Sequence, residues 1–144
     1  MKVLIDAGPF IALLNKDDPN HQNAVEQFDR IYWTKGICFT SDYVLTEVLA
    51  YATRKTKSPE VVLEMDRLIQ GSGNIHMLKV DGAALGDAKA FLKKYPKLLL
   101  SLTDWTSIAL AVEHGIGKIY SYDSDFDQLM STPEFRHIRR VEEI

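Results

Sequence analysis

The 144-residue sequence predicts an α/β fold, in which a central, mostly parallel sheet of about five strands is covered by helices on both faces. Short β-branched or apolar runs alternate with longer segments whose apolar residues recur at three- and four-residue spacing. Strands that alternate with helices pair in parallel through right-handed crossovers. A chain of this length can bury a substantial core, so we expect one domain spanning residues 1–144.

Each element can be assigned from its own pattern of residues. The predicted strands are KVLI (2–5), ICFT (37–40), IHMLKV (75–80), KIYSY (118–122) and HIRRV (137–141). The predicted helices span residues 8–15, 20–33, 42–56, 59–70, 82–95 and 103–115. Turn residues separate these segments: KDDPNH follows the first helix, Pro59 opens another, and GSGN and HGIG lie at helix ends.

Composition and charge exclude several classes of protein. An apolar fraction of 46% with 26% charged residues is typical of a globular domain, not of a disordered or fibrous chain. The net charge of −3 provides no overall attraction to nucleic acid or an anionic membrane. No run is long enough to cross a bilayer, Asp6 interrupts any secretory signal, and the single Cys38 suits a reducing compartment. We therefore expect a cytoplasmic protein without a membrane partner.

Four acidic residues occupy the positions where parallel sheets bind ligands, just beyond the carboxyl ends of the strands. Asp6 follows the first strand and Asp123 follows KIYSY, while Glu47 lies in the helix after ICFT and Asp104 opens the helix 103–115. Each has an ordinary alternative role, as a helix cap, a surface residue or a turn residue. Their joint placement favours a common site.

Convergence of these acids would require a cation. Two like charges about 4 Å apart repel by roughly 4 kcal/mol at an effective dielectric constant near 20. Mg²⁺ and Mn²⁺ prefer carboxylate oxygen and would remove this repulsion. The chain has four histidines, and no two of them have the spacing of a metal site. They are His21, His76, His114 and His137. Acidic metal ligands without a nucleophilic side chain point to metal-activated water attacking a phosphodiester, which is nuclease chemistry.

Three ordered motifs carry a resemblance to a known family. They are VLIDAGPFIALLNKDDPNHQNA, TSDYVLTEVLAYATR and LTDWTSIALAVEHGIGKIYSYDSDFDQL, which together span most of residues 3–129. In order and spacing they resemble the PIN-domain ribonucleases, and within these the VapC-type toxins of prokaryotic toxin–antitoxin pairs. The resemblance implies a three-layer α/β/α sandwich, in agreement with the elements assigned above.

The resemblance also implies an activity and a set of site residues. The activity would be Mg²⁺- or Mn²⁺-dependent endoribonuclease, with one or two ions. The implied metal-binding acids are Asp6, Glu47, Asp104 and Asp123, with Asp125 as a more peripheral acid and Ser121 as a supporting residue. The implied partners are an RNA substrate, a small antitoxin protein and a second copy of the chain. One departure is Ala7, which provides no hydroxyl where many members have threonine after the first aspartate.

Basic residues flank the predicted site. Arg54 and Lys55 are candidates for RNA phosphate contacts, because Arg54 lies seven residues beyond Glu47, on nearly the same helix face. A later group is expected to form a solvated face and consists of Arg136, Arg139 and Arg140. Trp105 and Phe126 adjoin the acids but are expected in the core.

Other readings of the same residues stay open at this point. Asp123, Asp125 and Asp127, with Glu134 further on, imitate a calcium-binding loop, but Gln128 replaces the glycine that such a loop needs. A phosphoacceptor receiver or an aspartate phosphatase would need a second acid near Asp6 that the chain lacks. An RNA-processing nuclease of the same fold, or a non-catalytic protein-binding module, would share the predicted architecture.

Overall fold

The structure is a computed structural model that describes residues 1–144. Its strands are β1 (Val3–Ile5), β2 (Cys38–Ser41), β3 (Ile75–Leu78), β4 (Lys118–Tyr120) and β5 (Arg139–Val141). Its α-helices are α1 (Ala7–Leu14), α2 (His21–Trp33), α3 (Asp42–Thr56), α4 (Pro59–Gln70), α5 (Gly82–Lys94) and α6 (Leu102–His114). All predicted elements are therefore present. A 3-10 helix, Ser124–Ser131, was not predicted.

The strands β3 and β4 both end two residues earlier than predicted. Beyond β3, the Val80 amide donates to the Asp42 carboxylate at 2.9 Å instead of continuing the sheet. Beyond β4, the Ser121 amide still reaches Val141 at 3.2 Å, but the chain then turns toward the 3-10 helix. These turns place polar groups at the carboxyl ends of the strands.

The sheet is parallel throughout, with the strand order β3-β2-β1-β4-β5. The chain starts at the centre, adds β2 and β3 on one side, and then crosses back to add β4 and β5 on the other. The strand order therefore reverses beside β1, and the crevice at such a reversal is where open parallel sheets bind ligands. Asp6 directly follows β1, and Ser121 directly follows β4.

Successive residues of β1 face two separate cores, because side chains alternate along a strand. Leu4 packs in a core with Trp105 and other residues of α5 and α6. Val3 and Ile5 face the opposite core, which contains residues of α1 to α4 such as Val48. This arrangement confirms the predicted three-layer α/β/α architecture. None of the helices has the length and apolar character needed to span a membrane.

An aromatic cluster fixes the start of α6. The Trp105 ring is fully buried and stacks on Tyr95, with ring centroids 5.9 Å apart. It also contacts Phe91 at 5.8 Å and Phe135 at 5.7 Å. Trp105 is therefore a core residue, as expected, and its anchorage holds the neighbouring Asp104 in place.

Candidate active site

A cavity of about 670 Å³ opens at the carboxyl edge of the sheet, between α3, α6 and the 3-10 helix. Four of its ten lining residues are acidic, namely Glu47, Asp104, Asp123 and Asp125. The remaining lining residues are Tyr43, Thr46, Ala50, Leu99, Ser101 and Thr103. Three of the four acids that the strand-end rule selected, Glu47, Asp104 and Asp123, thus line one cavity, whereas Asp6 is not among the lining residues.

Asp6 lies behind this cavity and is buried, with 8% of its surface exposed. It occupies the residue before α1, but its side chain makes no capping hydrogen bond, so the interpretation of Asp6 as a helix cap is wrong. Its Oδ2 instead accepts a hydrogen bond of 2.7 Å from the Ser121 hydroxyl. Burial raises the pKa of Asp6, and the charges of Glu47 and Asp123 raise this pKa further.

Ser121 connects the ends of the two central strands. Its Oγ donates to Asp6 and accepts a hydrogen bond of 3.0 Å from the Asp123 amide. The side chain is fully buried, so water does not compete for these two bonds. Ser121 therefore sets the position of one acid on each strand, and it provides the hydroxyl that Ala7 lacks.

Asp104 is positioned by the start of its own helix. Its Oδ2 accepts a hydrogen bond of 2.9 Å from the Ser101 amide, while its amide donates to the Ser101 hydroxyl at 3.1 Å. This capping box confirms the predicted interaction with the helix N-terminus. Partial burial, with smaller contributions from Asp6 and Asp123, raises the pKa of Asp104 to about 6.

Glu47 approaches the same space from α3. Its carboxylate makes no hydrogen bond or ion pair, although its side chain lies on a cavity wall. Desolvation raises its pKa, and the charges of Asp104 and Asp123 add to the effect. The acids thus repel one another across the cavity, as their convergence requires.

The alternating aspartates after β4 have different environments. Asp123 precedes the 3-10 helix, and its Oδ1 accepts a hydrogen bond of 2.9 Å from the Asp125 amide. Asp125 is half-buried and lines the cavity. Asp127 is absent from the cavity, because both of its carboxylate oxygens contact Arg140, at 2.9 and 3.2 Å. Only the first two aspartates are therefore candidates for ion binding.

The donor chemistry of the site fits a hard divalent cation. The five acids provide only carboxylate oxygens, and none of them pairs with a lysine or arginine. No three of the side chains form a complete ligand set as placed, so they would have to turn toward a common ion on binding. Glu47 and Asp123 are exposed enough to do so.

Arg140 departs from its predicted role as part of a solvated face. Its side chain is only 18% exposed and donates to Asp127 and, at 2.7 Å, to Glu142. Its third partner is the Ser121 carbonyl oxygen, which accepts a hydrogen bond of 3.2 Å. The arginine therefore joins β5, the 3-10 helix and the segment that carries Ser121, whereas the neighbouring Arg139 makes no ion pair.

Replacement of Arg140 by methionine should lower the free energy of unfolding by about 1 to 3 kcal/mol, because it leaves Asp127 and the Ser121 carbonyl without their charged partner. Arg139→Met is the matched control, since Arg139 is exposed in the same strand, and its effect should stay within about 0.5 kcal/mol. Urea unfolding of both variants measures the difference. Equal stabilities would contradict the assigned role of Arg140.

The two candidate RNA-binding residues, Arg54 and Lys55, are exposed on α3 without ion pairs. They lie beyond the cavity wall, and their contact with RNA stays a prediction.

The calcium-binding loop that the sequence imitates does not form. Glu134, the last residue of that loop, instead accepts a hydrogen bond of 2.9 Å from Lys94. With Asp127 paired to Arg140, the calcium-loop interpretation is wrong.

Several cavity residues were not found from the sequence. Tyr43 and Ala50 lie one helical turn before and after Glu47, so the helical spacing could have identified them. Thr103 precedes Asp104 in the same first turn. Leu99 has no comparable signal, because only the folding of the loop before α6 brings it to the cavity.

The sequence profile of the PIN domain matches residues 3–130. The chain belongs to the PIN domain family. This membership confirms the resemblance drawn from the ordered acidic motifs, and the profile covers the region that carries Asp6, Glu47, Asp104, Asp123 and Asp125. No curated protein matches the chain.

Solved structures that are similar in fold include VapC20 and VapBC2. VapC20 of Mycobacterium tuberculosis, described as a toxin that cleaves the sarcin-ricin loop, has a TM-score of 0.74 and 23% identity. The match covers 88% of this chain and 94% of that one. VapBC2 of Rickettsia felis, bound to a promoter DNA fragment, has a TM-score of 0.67, 13% identity and 98% coverage of both chains.

Proposed function

We propose that this PIN-domain protein is a Mg²⁺- or Mn²⁺-dependent endoribonuclease and the toxin of a VapC-type toxin–antitoxin pair. The observation that carries the proposal is the cavity at the strand-order reversal, lined by carboxylates that lack any basic partner. Such a set of acids is costly to a fold unless a cation compensates it. The cation requirement and the family membership together favour phosphodiester hydrolysis.

The side chains have distinct roles in this proposal. Glu47, Asp104 and Asp123 would hold one or two ions, and Asp6 would contribute a further carboxylate. Ser121 keeps Asp6 and Asp123 aligned through its two hydrogen bonds. Asp125 would serve as a more peripheral ligand. When bound, a divalent cation lowers the pKa of water and stabilises negative charge on a leaving oxygen.

Water is the proposed nucleophile. The cavity lining includes the hydroxyl-bearing residues Tyr43, Thr46, Ser101 and Thr103, but it includes no cysteine and no histidine or lysine of the kind that activates a side-chain nucleophile. Attack of water on phosphorus with departure of the 3′ oxygen leaves a 5′-phosphate and a 3′-hydroxyl. No covalent enzyme intermediate forms on this route.

The toxin assignment is supported by the kind of protein that shares the fold. VapC20 is described as a toxin that cleaves the sarcin-ricin loop, and VapBC2 as bound to a DNA fragment from their promoter. By analogy, a small antitoxin would cover the cavity of this chain, and the toxin would form a homodimer. Recovery of a tight complex on co-expression with a neighbouring gene tests this part of the proposal.

Cleavage of RNA by the purified protein should depend on an added divalent cation. Treatment with EDTA should reduce the rate to background, and excess Mg²⁺ or Mn²⁺ should restore it, because the proposed mechanism needs a cation to lower the pKa of the attacking water and to offset the negative charge of the carboxylates. Mass spectrometry of the products should identify 5′-phosphate ends. Full activity in EDTA, or cyclic phosphate products, would contradict the proposed mechanism.

A further inference from the structure

The cavity has an uncharged wall that the proposed hydrolysis does not use. Tyr43, Ala50 and Leu99 line it opposite or beside the acids. We propose that Tyr43 and Leu99 form a subsite for an unpaired nucleobase next to the cleaved phosphodiester. This inference rests on the proposed function, because it takes RNA as the substrate of the same cavity.

Leu99 is exposed although the segment around it is anchored. Its side chain is 74% exposed, whereas Leu98 and Leu100 on either side pack against the core. Its amide donates to the Gln128 side chain at 3.3 Å, and Gln128 in turn donates to the Asp125 carbonyl at 2.8 Å. The exposed leucine is therefore held beside the acidic wall. An apolar side chain kept at such a position is available to a ligand.

Tyr43 offers a fixed aromatic face with a free hydroxyl. It lies in the first turn of α3, one turn before Glu47, and its half-buried ring packs against the core. Its backbone amide bonds to Asp42, but its hydroxyl has no hydrogen-bond partner in the protein. Aromatic rings stack on nucleobases, and a hydroxyl can read a base edge. Tyr43 can supply both interactions.

The dimensions and polarity of the cavity match a nucleotide. Its volume of about 670 Å³ lies in the range of about 300–1,000 Å³ that is typical of small-ligand sites. The acids, with their cation, would take the phosphate, and the uncharged wall would take the flat base. A base within a double helix cannot enter such a cavity, whereas an unstacked base can.

A nucleobase fits this wall better than a protein partner does. The apolar residues are few, and Thr46, Thr103 and the acids interrupt them. A docked helix would need a continuous apolar stripe, whereas one planar base needs only a stacking face and a few polar contacts. The wall therefore favours a single base at a time.

Paired measurements on intact and abasic RNA test the subsite. Parent cleavage of short random-sequence RNA first identifies a preferred cut, and this RNA is then synthesised with either normal or abasic nucleotides flanking the cut. On intact RNA, Tyr43→Ala should lower kcat/KM by about tenfold or more and Leu99→Ala by about three- to tenfold. On abasic RNA both variants should equal the parent. Leu92→Ala, an exposed leucine outside the cavity, is the matched control and should change neither value.

The outcomes separate the subsite from the proposed function. Equal losses on intact and abasic RNA would assign Tyr43 and Leu99 a structural role and overturn the subsite, as would unchanged cleavage by both variants. Absence of cleavage by the parent would overturn the proposed function itself. Tyr43→Phe keeps the ring and its packing, so it should retain most of kcat/KM while altering the preference among the four bases. An unaltered preference would overturn the reading role of the hydroxyl.

Discussion

Asp104→Asn should strongly reduce RNA cleavage and at the same time stabilise the metal-free protein at neutral pH. The asparagine keeps the size of the side chain and can still accept the hydrogen bond from the Ser101 amide, so α6 keeps its cap. What disappears is one negative charge among the acids around the cavity. We expect a loss of at least about 100-fold in kcat/KM, because the effect of removing a ligand should exceed that of removing its supporting partner.

The stability change follows from the pKa of Asp104. Since this pKa is raised from 3.8 to about 6, the folded protein binds more protons than the unfolded chain between these values. The free energy of unfolding of the metal-free parent therefore falls as the pH rises through this window and stays lower above it. Asp104→Asn removes this contribution. It should gain about 1 to 2 kcal/mol at neutral pH, because partial exposure to solvent reduces the full value of the shift.

Thermal unfolding with and without Mn²⁺ measures both consequences. Without metal, the variant should melt above the parent at neutral pH and close to it at pH below 4. Added Mn²⁺ should raise the melting temperature of the parent more than that of the variant, because binding linkage requires the ligand. Asp87→Asn is the matched control, an exposed aspartate on α5 away from the cavity. A variant that cleaves RNA at the parent rate would exclude Asp104 from the reaction.

The strands and helices were predictable because their signals are local. Apolar spacing identifies α3 and α6 within the chain segment that forms them, and the alternation of elements predicts a parallel sheet. The 3-10 helix Ser124–Ser131 was missed because it is short and because residues 123–127, around its start, contain three acids that also imitate other loops. Its form depends on Asp123, whose side chain bonds the Asp125 amide.

The candidate site was predictable only in part. The acids could be selected from the sequence because they follow strands or lie near helix starts, and every parallel sheet places these positions at one edge. Contacts over long sequence separations had no such signal: Arg140 binds Asp127 and Ser121, 13 and 19 residues away, and appeared to be an ordinary surface charge. The position of Leu99 at the cavity depends on the fold of the loop before α6, which has no sequence signal. Tertiary packing decided the partners of these residues.

Ser121→Ala should lower both stability and metal affinity, although it removes a single oxygen atom. The buried carboxylate of Asp6 would lose its 2.7 Å hydrogen bond, and the Asp123 amide would lose its acceptor. An unsatisfied buried group costs about 1 to 3 kcal/mol. Because the Ser121 hydroxyl opposes the rise in the pKa of Asp6, its loss should raise that pKa further and favour the protonated acid, which binds no cation.

Ser107→Ala provides a closely matched control for this change. Ser107 is a buried serine of α6 whose hydroxyl has no hydrogen-bond partner, so its removal should be neutral or slightly stabilising. We expect Ser121→Ala to weaken Mn²⁺ binding and lower kcat/KM by about 10- to 100-fold. The loss should be greatest at low pH, where Asp6 is most readily protonated. Calorimetric titration with Mn²⁺ over a range of pH measures this dependence, and equal affinities of the two variants would show that Ser121 does not align the acids.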